Sequence, residues 1–175
     1  MLSKLLPKLY LDSIKNIDIQ KLKEEGIKVF FCDLDNTLSP YDVKYPGNDI
    51  IQWVRMAKEN GITVYIISNN SKKRVTNYCE KLKIEFIYCA LKPLTICYRK
   101  ACKQLGVKPT ECCMIGDQIF TDVWSANKAG VYSILVKKIS DKESTLTKFK
   151  RRMEKRILER YENERKSSVF DRKSD

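Results

Sequence analysis

The feature that most constrains the fold is an alternation: short apolar runs rich in β-branched and aromatic residues take turns with stretches of helical spacing along most of the chain. The runs at 27–32, 62–67, 84–88, 112–115 and 132–136 predict strands, and 49–59, 72–81, 94–105 and 119–129 predict helices between them. Strands with no polar face, each followed by a helix, predict a parallel sheet covered on both sides. Gly61, Gly106 and Gly130 each close a helical stretch shortly before a strand, the position where a helix stop is expected. The expectation is therefore an α/β fold, a three-layer Rossmann-like arrangement with a parallel sheet of about five strands. It should occupy residues 1–140, with 1–26 as a lead-in, and leave 141–175 as a basic, helical C-terminal extension.

In an open parallel sheet, ligands bind outside the carboxyl ends of the strands. The polar residues of this chain gather at those ends. The first strand runs into "DLDNT" (Asp33, Asp35, Thr37), the second into "SNN" (Ser68, Asn69, Asn70), the third into "CALKP" (Lys92) and the fourth into "GDQIFTD" (Asp117, Asp122). Asp33 and Asp35 point the same way if the strand continues through them, so a cation must lie nearby to offset their repulsion. Lys92 and a bound divalent ion are the candidates.

These residue types are the kind from which a phosphoryl-transfer site is built. Asp33, Asp35 and Asp117 offer the hard oxygen donors that Mg²⁺ prefers. Asp33 is the candidate nucleophile, forming an aspartyl-phosphate. Asp35 is placed to protonate the leaving oxygen and then to deprotonate the attacking water. The Thr37 and Ser68 hydroxyls, with Asn69 beside them, can hold the phosphoryl oxygens, and Lys92 can offset the charge that develops on them.

The four elements, in this order, resemble the motifs of the haloacid dehalogenase-like hydrolase superfamily. By that resemblance Asp33 is nucleophile and metal ligand, and Asp35 is acid/base with its backbone carbonyl on the metal. Ser68 and Lys92 contact phosphate, Asp117 is a further metal ligand, and Asp122, the second acid of the fourth motif, belongs to the metal site as well, directly or through water. An Asp at position 35 resembles the phosphatase branch. Only 30 residues separate Thr37 from Ser68 and 23 separate Ser68 from Lys92, so neither gap holds a cap domain. An open site suits a large or membrane-held substrate, or closure by a partner subunit in a homo-oligomer. With "LPKLYLDSIKNIDIQKLKEEGIKVFFCDLDNTL" added, the chain resembles the YqeG family of bacterial phosphatases, which is similar to the mitochondrial phosphatidylglycerophosphate phosphatases. The resemblance implies phosphatidylglycerophosphate as substrate. The alternatives are a soluble phosphatase acting on sugar phosphates, nucleotides or phosphoproteins, and a non-catalytic nucleic-acid-binding module.

Charge bears on those alternatives. The 175 residues carry a net charge of +12, much of it in 148–173. That favours anionic partners, but no recognised nucleic-acid-reading element accompanies it, so nucleic acid is not expected. Phe149, Met153, Ile157 and Tyr161 recur every four residues among Lys and Arg. Such a stripe suits either a helix lying on an anionic membrane or one docked on the protein's own core. The seven Cys, the lack of His and the absence of a secretory or membrane-spanning pattern lead to free thiols, no zinc site and a cytoplasmic location, with peripheral membrane contact open.

Overall fold

The computed structural model describes residues 2–143 and 145–171, with side-chain surroundings for 3–143 and 147–161. Residues 172–175, the end of the basic extension, lie outside the described residues. Six strands form one parallel sheet: β1 (Leu9–Leu11), β2 (Val29–Cys32), β3 (Thr63–Ile67), β4 (Glu85–Ile87), β5 (Cys112–Gly116) and β6 (Tyr132–Val136), in the order β1-β6-β5-β2-β3-β4. The helices are α1 (Ile19–Glu24), α2 (Asn48–Glu59), α3 (Lys72–Leu82), α4 (Ile96–Leu105), α5 (Trp124–Ala129) and α6 (Thr145–Asp171).

Strand β2 shows why the sheet has three layers. All four of its residues are buried, and successive side chains go to opposite faces. Phe30 and Cys32 join Trp53 of α2 and Tyr78 of α3 in one cluster, which α1 extends through Ile19 and Leu22. Val29 and Phe31 join Tyr98 and Ala101 of α4 and Ala126 of α5 in the other. Phe30 stacks on Trp53 at 5.8 Å between ring centroids, and Phe31 meets Tyr65 and Tyr98 edge-on. Two buried faces explain the unbroken apolar runs of the sequence.

The fold has one strand more than the pattern predicts. Leu9–Leu11 pairs in parallel with β6 at the sheet edge, within the stretch expected to be only a lead-in. Three partly buried residues at an edge carry too little periodicity to be read as a strand. The helix expected over 119–129 also differs: it opens with a π-helical turn, Ile119–Val123, before α5. The extra residue of that turn brings Asp122 back over Gly116, a local distortion of the kind found at functional sites.

The basic segment forms α6, and its stripe is split. Ile157 and Leu158 pack against Ile119, Val123 and Leu135, and Tyr161 is buried and meets Tyr10 edge-on. Phe149 and Met153 remain exposed. The inward face is instead Arg151, Glu154, Leu158 and Tyr161, a helical spacing that includes two charged residues. No helix among the described residues is long and apolar enough to cross a membrane.

Candidate active site

The order in which the parallel strands are added reverses at β2, whose neighbours are β3 and β5, the switch point beside which open parallel sheets bind ligands in a crevice outside the carboxyl ends of their strands. Asp33 leaves β2 with its amide donating to the Ile115 carbonyl of β5 at 2.9 Å, so strand pairing continues into the first site residue. Asn36 then turns the chain in the left-handed region, φ 64°, a conformation that Asn tolerates better than most residues. No inserted domain covers the crevice: α2 follows at Asn48 and α3 at Lys72.

Lys92 is the cation that the two carboxylates of β2 called for, but it serves a different pair. Its Nζ donates to Asp33 Oδ1 at 2.8 Å and to Asp122 Oδ1 at 2.7 Å, with its side chain 2% exposed. Asn69 places it, accepting from the Lys92 amide at 2.8 Å and donating to the Lys92 carbonyl at 3.0 Å. Asn69 is thus engaged with backbone. Asp122 also accepts from the Gln118 amide at 3.0 Å, which closes the π turn. Gly116 makes this approach feasible, because a Cβ there would lie 2.3 Å from the Asp122 carboxyl carbon.

Asp33, Asp117 and Asp122 each offer an oxygen to one cluster, all within 4.8 Å of one another, and all three residues are buried. Burial is the strongest influence on Asp33 and raises its carboxyl pKa; Lys92 opposes this, while Asp122 and Asp117 add to it. Burial opposes charge on the Lys92 ammonium, but Asp122 and Asp33 outweigh it and raise its pKa. Burial likewise raises Asp117, against Arg151.

Asp35 sits apart from this cluster. Arg74 of α3 donates from Nε to Asp35 Oδ1 at 3.1 Å and lies 3.0 Å from it through Nη2, and Asn70 Nδ2 donates to Oδ2 at 2.8 Å. Thr37 donates its hydroxyl to Asp117 Oδ1 at 3.0 Å, so in this state it orients an acid. Ser68 is buried at the end of β3, its Oγ accepting from the Asn70 amide at 3.1 Å.

Several residues escape the sequence reading. Asn70 stands at the strand end in the sequence reading without its Asp35 contact, and Arg74, in the first turn of α3, follows the Ser68–Asn70 stretch and could have been suspected from it. Arg151 could not: nothing separates it from the other cations of its helix until the fold brings it to Asp117, Glu143 and Glu154. Lys92 and Arg151, with Lys138 at 3.7 Å from Glu143, thus face five largely buried carboxylates: Asp33, Asp117, Asp122, Glu143 and Glu154. An excess of buried negative charge at an oxygen-rich cluster fits a hard divalent cation.

Comparison with known proteins agrees. The model of the haloacid dehalogenase-like hydrolases matches residues 5–130. The chain belongs to the haloacid dehalogenase-like hydrolases. It is 40% identical to "Probable phosphatase YqeG" of Bacillus subtilis (strain 168), over 87% of this chain and 89% of that protein. It is 26% identical to the chloroplastic/mitochondrial phosphatidylglycerophosphate phosphatase 1 of Arabidopsis thaliana, over 89% of this chain but 48% of the plant protein. Among solved structures, the cobalt-bound deoxy-D-mannose-octulosonate 8-phosphate phosphatase of Haemophilus influenzae shares the fold. Its TM-score is 0.52 at 22% identity, covering 87% of this chain and 96% of that one. Within its family the protein is a phosphatase.

Proposed function

We propose that this phosphatase is a Mg²⁺-dependent phosphomonoesterase that works through an aspartyl-phosphate on Asp33 and acts on phosphatidylglycerophosphate at an anionic membrane surface. The observation that carries the lipid reading is the composition of the crevice mouth. Tyr41, Val43 and Tyr45 on the β2–α2 loop and Leu91, Leu94 and Ile96 on either side of Lys92 in the chain are exposed, on segments that follow the carboxyl ends of β2 and β4 beside an uncapped site. Exposed apolar side chains concentrated around a site mark an interaction surface. Tyr45 has two ammonium groups near its ring, Lys44 at 5.0 Å and, from the last turn of α3, Lys81 at 5.7 Å, so aromatic and cation mix along the α2–α3 side of the protein as well, which suits the interface of an anionic bilayer. The similarity to the plant phosphatidylglycerophosphate phosphatase supports the choice of lipid.

In this mechanism a carboxylate oxygen of Asp33 attacks phosphorus as the bond to the ester oxygen breaks. Asp35, oriented by Arg74 and Asn70, donates its proton to that leaving oxygen. Asp35 then removes a proton from water, which attacks the same phosphorus; the bond to Asp33 breaks and inorganic phosphate leaves. Lys92 offsets the charge on the phosphoryl oxygens. A divalent ion held by Asp33 and Asp117, with Asp122 nearby, would supply further charge neutralisation.

The test is kcat/KM on phosphatidylglycerophosphate in mixed micelles beside a sugar phosphate, a nucleoside monophosphate and a phosphopeptide, since specificity is that ratio. The lipid should win. A soluble substrate preferred by about tenfold or more would overturn the lipid assignment and leave the phosphatase chemistry in place.

A further inference from the structure

Arg151 of the basic segment reaches the acid cluster, and its surroundings differ from those of its exposed neighbours Arg152, Lys155 and Arg156. Its Nη1 donates to the Asp117 backbone carbonyl and its Nη2 to Asp117 Oδ2, so one guanidinium spans both the main chain and the carboxylate of a single residue. Glu143 accepts from Nε at 3.1 Å and Nη2 at 2.7 Å, and Glu154 accepts from Nη1 at 3.2 Å. The other Glu154 oxygen accepts from the Phe120 amide at 3.0 Å, tying the same turn of α6 to the π turn that carries Asp122. One and two turns further on, Leu158 and Tyr161 seat the helix on the core. The guanidinium is thus fixed on several sides, unlike a surface arginine free to sample rotamers.

We infer that Arg151 is a positioning residue for the metal site: delivered by α6, it fixes the orientation of the Asp117 carboxylate for a divalent cation. Thr37 on Oδ1 and Arg151 on Oδ2 hold the carboxylate from both sides. Each carboxylate oxygen keeps a second acceptor direction, and those remain for a cation shared with Asp33 and Asp122. Partners that orient ligands in this way change metal affinity by about 10- to 100-fold when removed. A planar fork suits this place, because Arg151 makes five contacts at once, to the Asp117 carbonyl and carboxylate and to Glu143 and Glu154, where an ammonium has only three donors. The basic C-terminal helix, on this inference, is part of the catalytic unit. The inference rests on Asp117 being a metal ligand.

The experiment is calorimetric titration of Mg²⁺ into metal-stripped full-length protein without substrate, for wild type, Arg151→Gln, Arg151→Lys, Leu158→Ala and Asp117→Asn. Arg151→Gln should weaken Mg²⁺ binding about 10- to 100-fold, and Arg151→Lys should recover only part of that loss. Leu158→Ala, which loosens the same helix away from the site, should lower the melting temperature while leaving Mg²⁺ affinity within about twofold, because it removes packing and no site contact. A merely structural arginine would resemble Leu158→Ala. Mg²⁺ affinity at or above the wild-type level in Arg151→Gln would overturn the inference, as would full affinity in Arg151→Lys should the Gln variant fail to fold. If Asp117→Asn bound Mg²⁺ like the wild type, the metal site itself would be misassigned and the inference would fall with it.

Discussion

Asp33 and Asp35 leave the same strand two residues apart, yet they meet opposite surroundings. Asp33 is buried against the Lys92 ammonium and shares an oxygen cluster with Asp117 and Asp122. Asp35 has a side chain 17% exposed and is held by the Arg74 guanidinium and the Asn70 amide at the solvent side of the crevice. Strand geometry aims both at one rim, and tertiary partners give them the unlike surroundings that the proposed mechanism uses. A nucleophile needs a fixed position beside the cationic groups that offset developing charge. An acid/base needs access to a leaving oxygen and to water. The difference teaches that the motif supplies two equivalent groups and the loops that follow make them unlike.

The sharpest way to break this comparison is to exchange the roles. Asp33→Asn should lose turnover by about 10⁴ or more, as removal of a nucleophile does, while retaining the fold. Asp35→Asn should lose about 10² to 10⁴ and should accumulate the covalent intermediate, because water is no longer activated. Steady-state phosphate release and circular dichroism check both. Near-equal losses with no intermediate in either variant would erase the distinction.

Next in size is an effect on stability. Lys92→Met leaves Asp33 and Asp122 buried beside each other without their cation, which should cost about 3–5 kcal/mol in urea unfolding. Arg74→Gln should cost far less stability. Because it lets Asp35 drift, it should lower kcat about 10- to 100-fold.

The pH dependence of the metal-free protein follows from the raised carboxyl pKa of Asp33. A group whose folded pKa lies above its unfolded one contributes stability that is fully present below the unfolded value and is lost as pH rises through the folded value. Chelated protein should therefore melt at progressively lower temperature as pH rises from the ordinary carboxylate range toward neutrality and beyond. Mg²⁺ should oppose the loss. At about 100 times its Kd it should add about 2.7 kcal/mol, the amount expected of any ligand that binds only the folded state.

The parts of the site read from sequence are those that repeat a local rule. Asp33, Ser68, Lys92 and Asp117 each follow an apolar run, and the sheet brings the ends of such runs together. Which acid Lys92 would serve was not legible: Asp122 reaches it through a π turn, and an extra residue in a helix leaves no periodic trace. Edge strand β1 was hidden by its length. The inward face of α6 was hidden because Arg151 and Glu154 occupy positions where a hydrophobic pattern expects apolar residues.

The proposed mechanism stands on a carboxylate oxygen of Asp33 taking the phosphoryl group. The direct measurement is rapid-quench single turnover of a phosphomonoester radiolabelled in its phosphoryl group, with Mg²⁺, comparing wild type, Asp33→Asn and Asp35→Asn. The account predicts protein-bound label that hydroxylamine releases, transient in the wild type, persistent in Asp35→Asn, absent in Asp33→Asn and mapped by mass spectrometry to Asp33. Label on another residue, or phosphate release by Asp33→Asn at the wild-type rate, would contradict it.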